Sequence, residues 1–214
     1  MHESVNKLIS IQEEINSKNS KTKIIAVSKT FPLSRIMPLI DYGHIHFGEN
    51  KVQESIEKWA EFKIVNSKIK LHMIGKLQSN KVKQAVDLFD YIHSVDNFKL
   101  AEKISNETLK KNKNIKIFIQ VNIGNETQKS GVKTENLKDF FNECKNNLNL
   151  DIIGLMCIPP VSQSSEQFFK KMNSLSNELD LSELSMGMSQ DYLNATSNNA
   201  SFVRIGSKIF GERS

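Results

Sequence analysis

Lys29 closes the run KIIAVSK (residues 23–29), in which four apolar residues and a serine lead to a cation. Such an ammonium is either a solvated strand end or, where the end faces a pocket, an amine whose partial desolvation favours its neutral form. A neutral lysine amine adds to a carbonyl and forms an imine. Far along the chain, VRIGSKIFGER (203–213) sets Arg204 inside an apolar strand and follows it with Gly206, Ser207 and Gly211. The glycines allow backbone to approach a ligand, and N–H groups beside a serine hydroxyl suit an anion. MGMSQD (186–191) offers a second half, with Ser189 just ahead of a helical pattern. His44 and His46 alternate on one strand face, with His72 and His93 on later strands, a spacing that a metal ion could use.

These residues need elements to position them. Short apolar runs at 23–29, 44–49, 70–75, 91–95, 115–122, 151–158, 183–188 and 202–206 read as strands. Between them, amphipathic patterns at 33–41, 50–60, 77–88, 97–112, 134–147, 164–179 and 190–199 read as helices, and one more lies near 3–18. Eight strands alternating with helices predict an α/β fold, a (β/α)8 TIM barrel with an extra N-terminal helix. A length of 214 residues is near the low end of the roughly 200 to 400 that this fold spans, so its loops must be short. No linker or composition shift divides residues 1–214, which predicts a single domain. An open doubly wound sheet is the other arrangement, but its usual glycine fingerprint is missing from AVSKTFP after the first strand. In a barrel the active face lies at the strand C-termini, and phosphates commonly bind the loops after the seventh and eighth strands. Lys29, Ser189, Arg204, Gly206 and Ser207 all fall there.

A ligand carrying both a carbonyl and a phosphate is what a strand-end lysine and a phosphate loop together ask for. Pyridoxal 5′-phosphate (PLP) is such a ligand, and arginine is one of the partners its ring nitrogen takes. Arg204 fits that place, because a guanidinium in an apolar strand is costly without a partner. Composition narrows the classes further. The chain has no long apolar span and its first residues lack the apolar centre of a signal peptide, so a cytoplasmic, non-membrane protein is expected. Two cysteines, Cys144 and Cys157, are too few for a disulfide framework and read as buried thiols. The net charge of +5 comes from lysines spread along the chain, which reads as a solvated surface rather than a nucleic-acid face. KLQSNKVK (76–83) lacks the interleaved aromatics of a single-strand binder.

The segments AVSKT, HFGENKVQE, LHMIGKLQSNK, IHSVD, VNIGNETQKSGV, GLMCIPP, LSMGMSQD and VRIGSKIFGER, in this order and spacing from about residue 23 onward, resemble the pyridoxal phosphate homeostasis protein family. The resemblance implies a barrel like the N-terminal domain of alanine racemase, with PLP as cofactor. It implies that Lys29 holds PLP as an aldimine, that Asn50 and Met188 line the pocket, and that Ser189, Gly206 and Ser207 bind the phosphate. Arg204 would face the pyridine nitrogen, and Lys129 of QKSGV would stand near the pocket mouth. Lys51 departs from the family, which commonly has an aromatic after GEN.

What the resemblance implies about activity is a carrier in PLP homeostasis, buffering cofactor or delivering it to PLP-dependent apo-enzymes, without turnover; a monomer is expected ahead of a dimer. Two other readings stand beside it. A weak PLP-dependent racemase would need a tyrosine base that the resembling racemases take from a second domain, and an arginine at the ring nitrogen weakens the cofactor as an electron sink. A metal-dependent barrel hydrolase using His44 and His46 would need histidines from later strands, and none follows His93.

Overall fold

The computed structural model describes residues 1–18, 21–161 and 163–212. Helix α1 (Glu3–Asn16) precedes strand β1 (Lys23–Val27), α2 (Leu33–Asp41), β2 (His46–Glu49), α3 (Val52–Val65), β3 (Lys70–Met73) and α4 (Val82–Leu88). The second half runs β4 (Tyr91–Val95), α5 (Phe98–Lys111), β5 (Lys116–Asn122), β6 (Val132–Lys133), α6 (Leu137–Asn142), β7 (Ile152–Cys157) and α7 (Ser165–Glu178). It ends with β8 (Glu183–Met188), α8 (Tyr192–Ser197), β9 (Phe202–Ile205) and the single turn α9 (Ser207–Phe210). All pairings are parallel, in the order β4-β3-β2-β1-β9-β8-β7-β5. Pairing of β4 with β5 closes this order into an eight-stranded barrel, as the alternation of runs predicts.

Two features were absent from the sequence expectation. The two-residue β6 sits on β5 outside the barrel, and α9 forms where only a loop was expected. The helical patterns at 77–88 and 134–147 also divide, each opening with a short 3-10 turn.

Strand alternation sorts the core into two layers. On β1, Ile24 and Ala26 join the large apolar layer beneath the helices, whereas Ile25 joins an inner plug with Tyr91, Phe118, Met156 and Phe202. Side chains two apart share a face, so Val27 and Lys29 continue the inward row of Ile25. The same rule puts Arg204 and Gly206 above Phe202 on β9, and Gly48 and Asn50 above His46 on β2.

The helices are fixed by ordinary devices. Asn97 caps α5 by accepting from the Leu100 N–H at 3.0 Å. The Tyr192 hydroxyl donates to Glu14 at 2.5 Å and ties α8 to α1. Arg35 donates to the Phe210 carbonyl at 3.1 Å, which binds α2 to α9. Both cysteines are buried free thiols, as expected, and burial pushes each up to about 12. Among the described residues no helix is long and apolar enough to cross a membrane.

Candidate functional site

The C-terminal ends of the strands open into a cavity of about 900 Å³, within the range that holds small-molecule ligands. Lys29, Asn50, Met188, Ser189, Arg204, Gly206 and Ser207, the seven residues expected to hold a cofactor, all line it. Lys129 does not line it. Its ammonium pairs with Glu126 at 2.6 Å and donates to the carbonyl of Pro159, which is a wall residue. Arg213 lies outside the described residues.

Lys29 follows β1 by two residues and is half-buried. Its neighbours are tightly held. The Ser28 hydroxyl donates to Glu49 Oε1 at 2.7 Å, and the Lys58 ammonium donates both to the Ser28 carbonyl and to that same oxygen at 2.9 Å. Trp59 Nε1 adds a third donor at 2.9 Å. On the other side, Thr30 takes φ +69°, a left-handed conformation costly for threonine, while its N–H donates to Glu54 at 2.6 Å. The backbone on both sides of the amine is thus pinned from α3.

Lys58 and Glu49 are 7% and 0% exposed at their side chains, so this pair is a buried one. Glu49→Ala would leave the Lys58 ammonium without its counter-charge, which should cost about 3 kcal/mol by urea unfolding. A loss under about 1 kcal/mol would show that the cluster does not brace β1. Sequence reading passed over this cluster, although an acid at a buried strand end was a signal that a cation must come from a neighbouring element.

The anion side of the cavity is built by two loops. Ser207 Oγ donates to Ser189 Oγ at 3.1 Å, so the two serines meet across the β8 and β9 ends. Gly206 precedes α9, where Ile209 and Phe210 N–H donate to the Gly206 carbonyl, while the N–H groups of Ser207 and Lys208 at the start of the turn have no acceptor within the helix. A Cβ on Gly206 would lie 3.3 Å from Val27 Cβ and 3.4 Å from its carbonyl oxygen, a crowded approach of backbone to β1. Gly187, at φ +88°, would meet Ala195 Cβ at 2.5 Å and is the glycine the β8 loop cannot replace. Met188 N–H donates to Asp191 at 2.7 Å, closing that loop into a turn, and α8 begins only at Tyr192.

Arg204 is buried and has the partners its burial demands. One guanidinium nitrogen, Nη1, donates to the carbonyl of Ser185 at 2.7 Å and to its hydroxyl at 2.8 Å, and Nη2 donates to the Cys157 carbonyl at 2.8 Å. Three of the five N–H donors are used, and the side chain still forms part of the cavity wall.

The histidines do not form a metal centre. His44 Nε2 bonds the His46 carbonyl at 2.9 Å, His46 Nδ1 meets His72 Nε2 at 3.0 Å, and His72 Nδ1 meets His93 Nε2 at 2.9 Å. Ring nitrogens used against each other in series cannot converge on one ion. Among the described residues no group of three His, Cys, Asp or Glu side chains could hold a metal, which removes the support for the hydrolase reading. Burial pushes His44 and His46 down to about 4 and holds His72 and His93 well below the ordinary value of 6.5.

The sequence profile of the alanine racemase N-terminal domain matches residues 8–214. The chain is 38% identical over 200 residues to the pyridoxal phosphate homeostasis protein of Aquifex aeolicus, covering 89% of this chain and 87% of that protein. It is 34% identical over 201 residues to the one of Escherichia coli K12, covering 89% and 85%. Among solved structures, PipY of Synechococcus elongatus PCC7942 with PLP bound superposes with a TM-score of 0.88 at 32% identity, covering 97% of this chain and 100% of that one. An alanine racemase of Clostridium difficile 630, 13% identical with a TM-score of 0.74, shares the barrel; the match covers 99% of this chain and 57% of the racemase.

Proposed function

The chain belongs to the pyridoxal phosphate homeostasis protein family, and from that premise we propose that it binds PLP in the strand-end cavity and keeps it for delivery to apo-enzymes rather than for turnover of amino acids. The observation that carries this reading is the convergence of Lys29, Arg204, Ser189 and Ser207 on one cavity of about 900 Å³. When bound, PLP supplies an aldehyde carbon to which a primary amine adds reversibly.

The residues fit that group by donor chemistry. Lys29 is the amine, held at the mouth by the Ser28, Glu49 and Lys58 cluster. Ser189, Ser207 and the N–H groups beginning at Gly206 are donors suited to a phosphate dianion. Arg204 donates and never accepts, so a ring nitrogen facing its remaining donors stays without a proton. Asn50 and Met188 close the walls. With a permanent cation at that nitrogen, the site favours holding the cofactor over carbanion chemistry.

Binding should depend on the phosphate. Pyridoxal, which has the aldehyde but no phosphate, is expected to bind far more weakly than PLP in an absorbance titration. Ser207→Ala should cost only about 1 kcal/mol of PLP affinity, the scale of one hydrogen bond. Equal affinity for the two compounds would remove the phosphate site. Incubation of the loaded protein with a PLP-dependent apo-enzyme should restore that enzyme's activity, whereas rapid racemisation or transamination by the pure protein would overturn the carrier reading.

A further inference from the structure

We infer that Ser185 and the ring chain His93, His72 and His46 are positioning residues for Arg204, joined to it by hydrogen bonds that all run one way, from the guanidinium towards the opposite end of the barrel. The chain is continuous. Arg204 Nη1 donates to Ser185 Oγ at 2.8 Å, Ser185 Oγ lies 2.9 Å from His93 Nδ1, His93 Nε2 lies 2.9 Å from His72 Nδ1, and His72 Nε2 lies 3.0 Å from His46 Nδ1.

Direction follows from what each group can do. A guanidinium has no acceptor, so Ser185 Oγ must accept from Arg204. Ser185 is fully buried, and Arg204 and His93 are its hydroxyl's only partners among the described residues. If His93 also donated to that oxygen, the hydroxyl proton would be left buried without an acceptor. Ser185 therefore donates to His93 Nδ1. His93 is then protonated on Nε2 and donates to His72 Nδ1, and His72 in turn donates from Nε2 to His46 Nδ1. Each ring is neutral, since burial opposes protonation of all three, helped by the Arg204 charge at His93 and by Lys23 and Lys70 at His46. Stacking keeps the rings in place: His72 lies 4.1 Å from the Tyr91 ring centre and His93 lies 4.3 Å from that of Phe118.

The consequence is a fixed guanidinium. Its inner edge is tied to Ser185 by the carbonyl and the hydroxyl, and its remaining donors are left for the cavity. The role towards a bound ring nitrogen rests on the PLP reading, whereas the direction of the chain does not.

Long-range proton–nitrogen correlation spectra of the cofactor-free protein at neutral pH test the direction. They should show His46, His72 and His93 all neutral with the proton on Nε2; a proton on Nδ1 of any of the three overturns the inference. This measurement needs no variant. In Ser185→Ala the carbonyl bonds to Arg204 remain, so the expected result is faster exchange of the Nη1 protons alone, and unchanged Nη1 exchange would show that the Ser185 hydroxyl does not hold the guanidinium. PLP affinity should fall about tenfold in Ser185→Ala, and the same change should do nothing in an Arg204→Lys background. An equal loss in both backgrounds would mean that Ser185 acts on the fold and not through Arg204. A wild-type protein that fails to bind PLP would overturn the proposed function, while the two spectroscopic results would still decide this inference.

Discussion

Lys29→Ala is expected to abolish the PLP mass that borohydride fixes to the protein, while unfolding free energy stays within roughly 1 kcal/mol of the parent. Lys29 lies beyond the last residue of β1 and is half-buried, so truncation removes little core surface. Of the cavity-lining residues it is the one with a primary amine, and the inward row of Ile25, Val27 and Lys29 directs it to the mouth. Lys29→Arg separates charge from nucleophilicity, because a guanidinium stays protonated at neutral pH. That variant should keep phosphate-dependent binding and lose the fixed mass. Recovery of the full mass from Lys29→Ala, for example on Lys129, would move the covalent site.

Stability should fall steeply as pH drops below about 6.5, before most carboxylates titrate. His72 and His93 are 0% exposed, and burial holds both well below the ordinary 6.5. Above that value both folded and unfolded chains carry neutral rings, and the stability is fully present. Below it the unfolded chain takes up protons that the folded barrel refuses, so each ring lowers the unfolding free energy by about 1.36 kcal/mol per pH unit. Two rings give about 2.7 kcal/mol per pH unit, and His44 and His46 act in the same direction until about 4. Urea unfolding between about pH 7 and pH 5 measures the slope, and His72→Phe should lower it by one proton. A flat profile over that window would mean that the rings are protonated in the folded state.

Much of the barrel was legible because its signals are local. A short apolar run such as KIIAV, followed by an amphipathic stretch such as LSRIMPLID, reports strand and then helix from neighbouring residues alone. The misreadings are local as well. At 134–147 the helical period continues through a 3-10 opening and a closing π turn, which side-chain period does not distinguish from α-helix. The four-residue α9 is too short to give a period, so SKIF looked like loop.

The sequence by itself determined which residues are candidates for the chemistry and on which side of their strands they stand. Lys29 shares parity with Ile25, Arg204 with Phe202, and Asn50 with His46, and an alternation of two needs no knowledge of partners. Only the tertiary structure decided which of these groups meet. Pairing of β1 with β9 sets Ile25 beside Arg204 and so carries Lys29 to the Gly206 loop, although 175 positions separate Lys29 from Arg204. Barrel closure brings Ser185 to His93, 92 positions apart in the chain, and Lys58 beneath Ser28. Pairing of β2 with β3 sets His46 against His72, and His44 turns to the His46 carbonyl, so these apparent metal ligands are taken up by hydrogen bonds. The physical reason is that a buried polar group must find its partner wherever closure of the sheet puts one, and that distance is written in strand order and register rather than in the residues beside it.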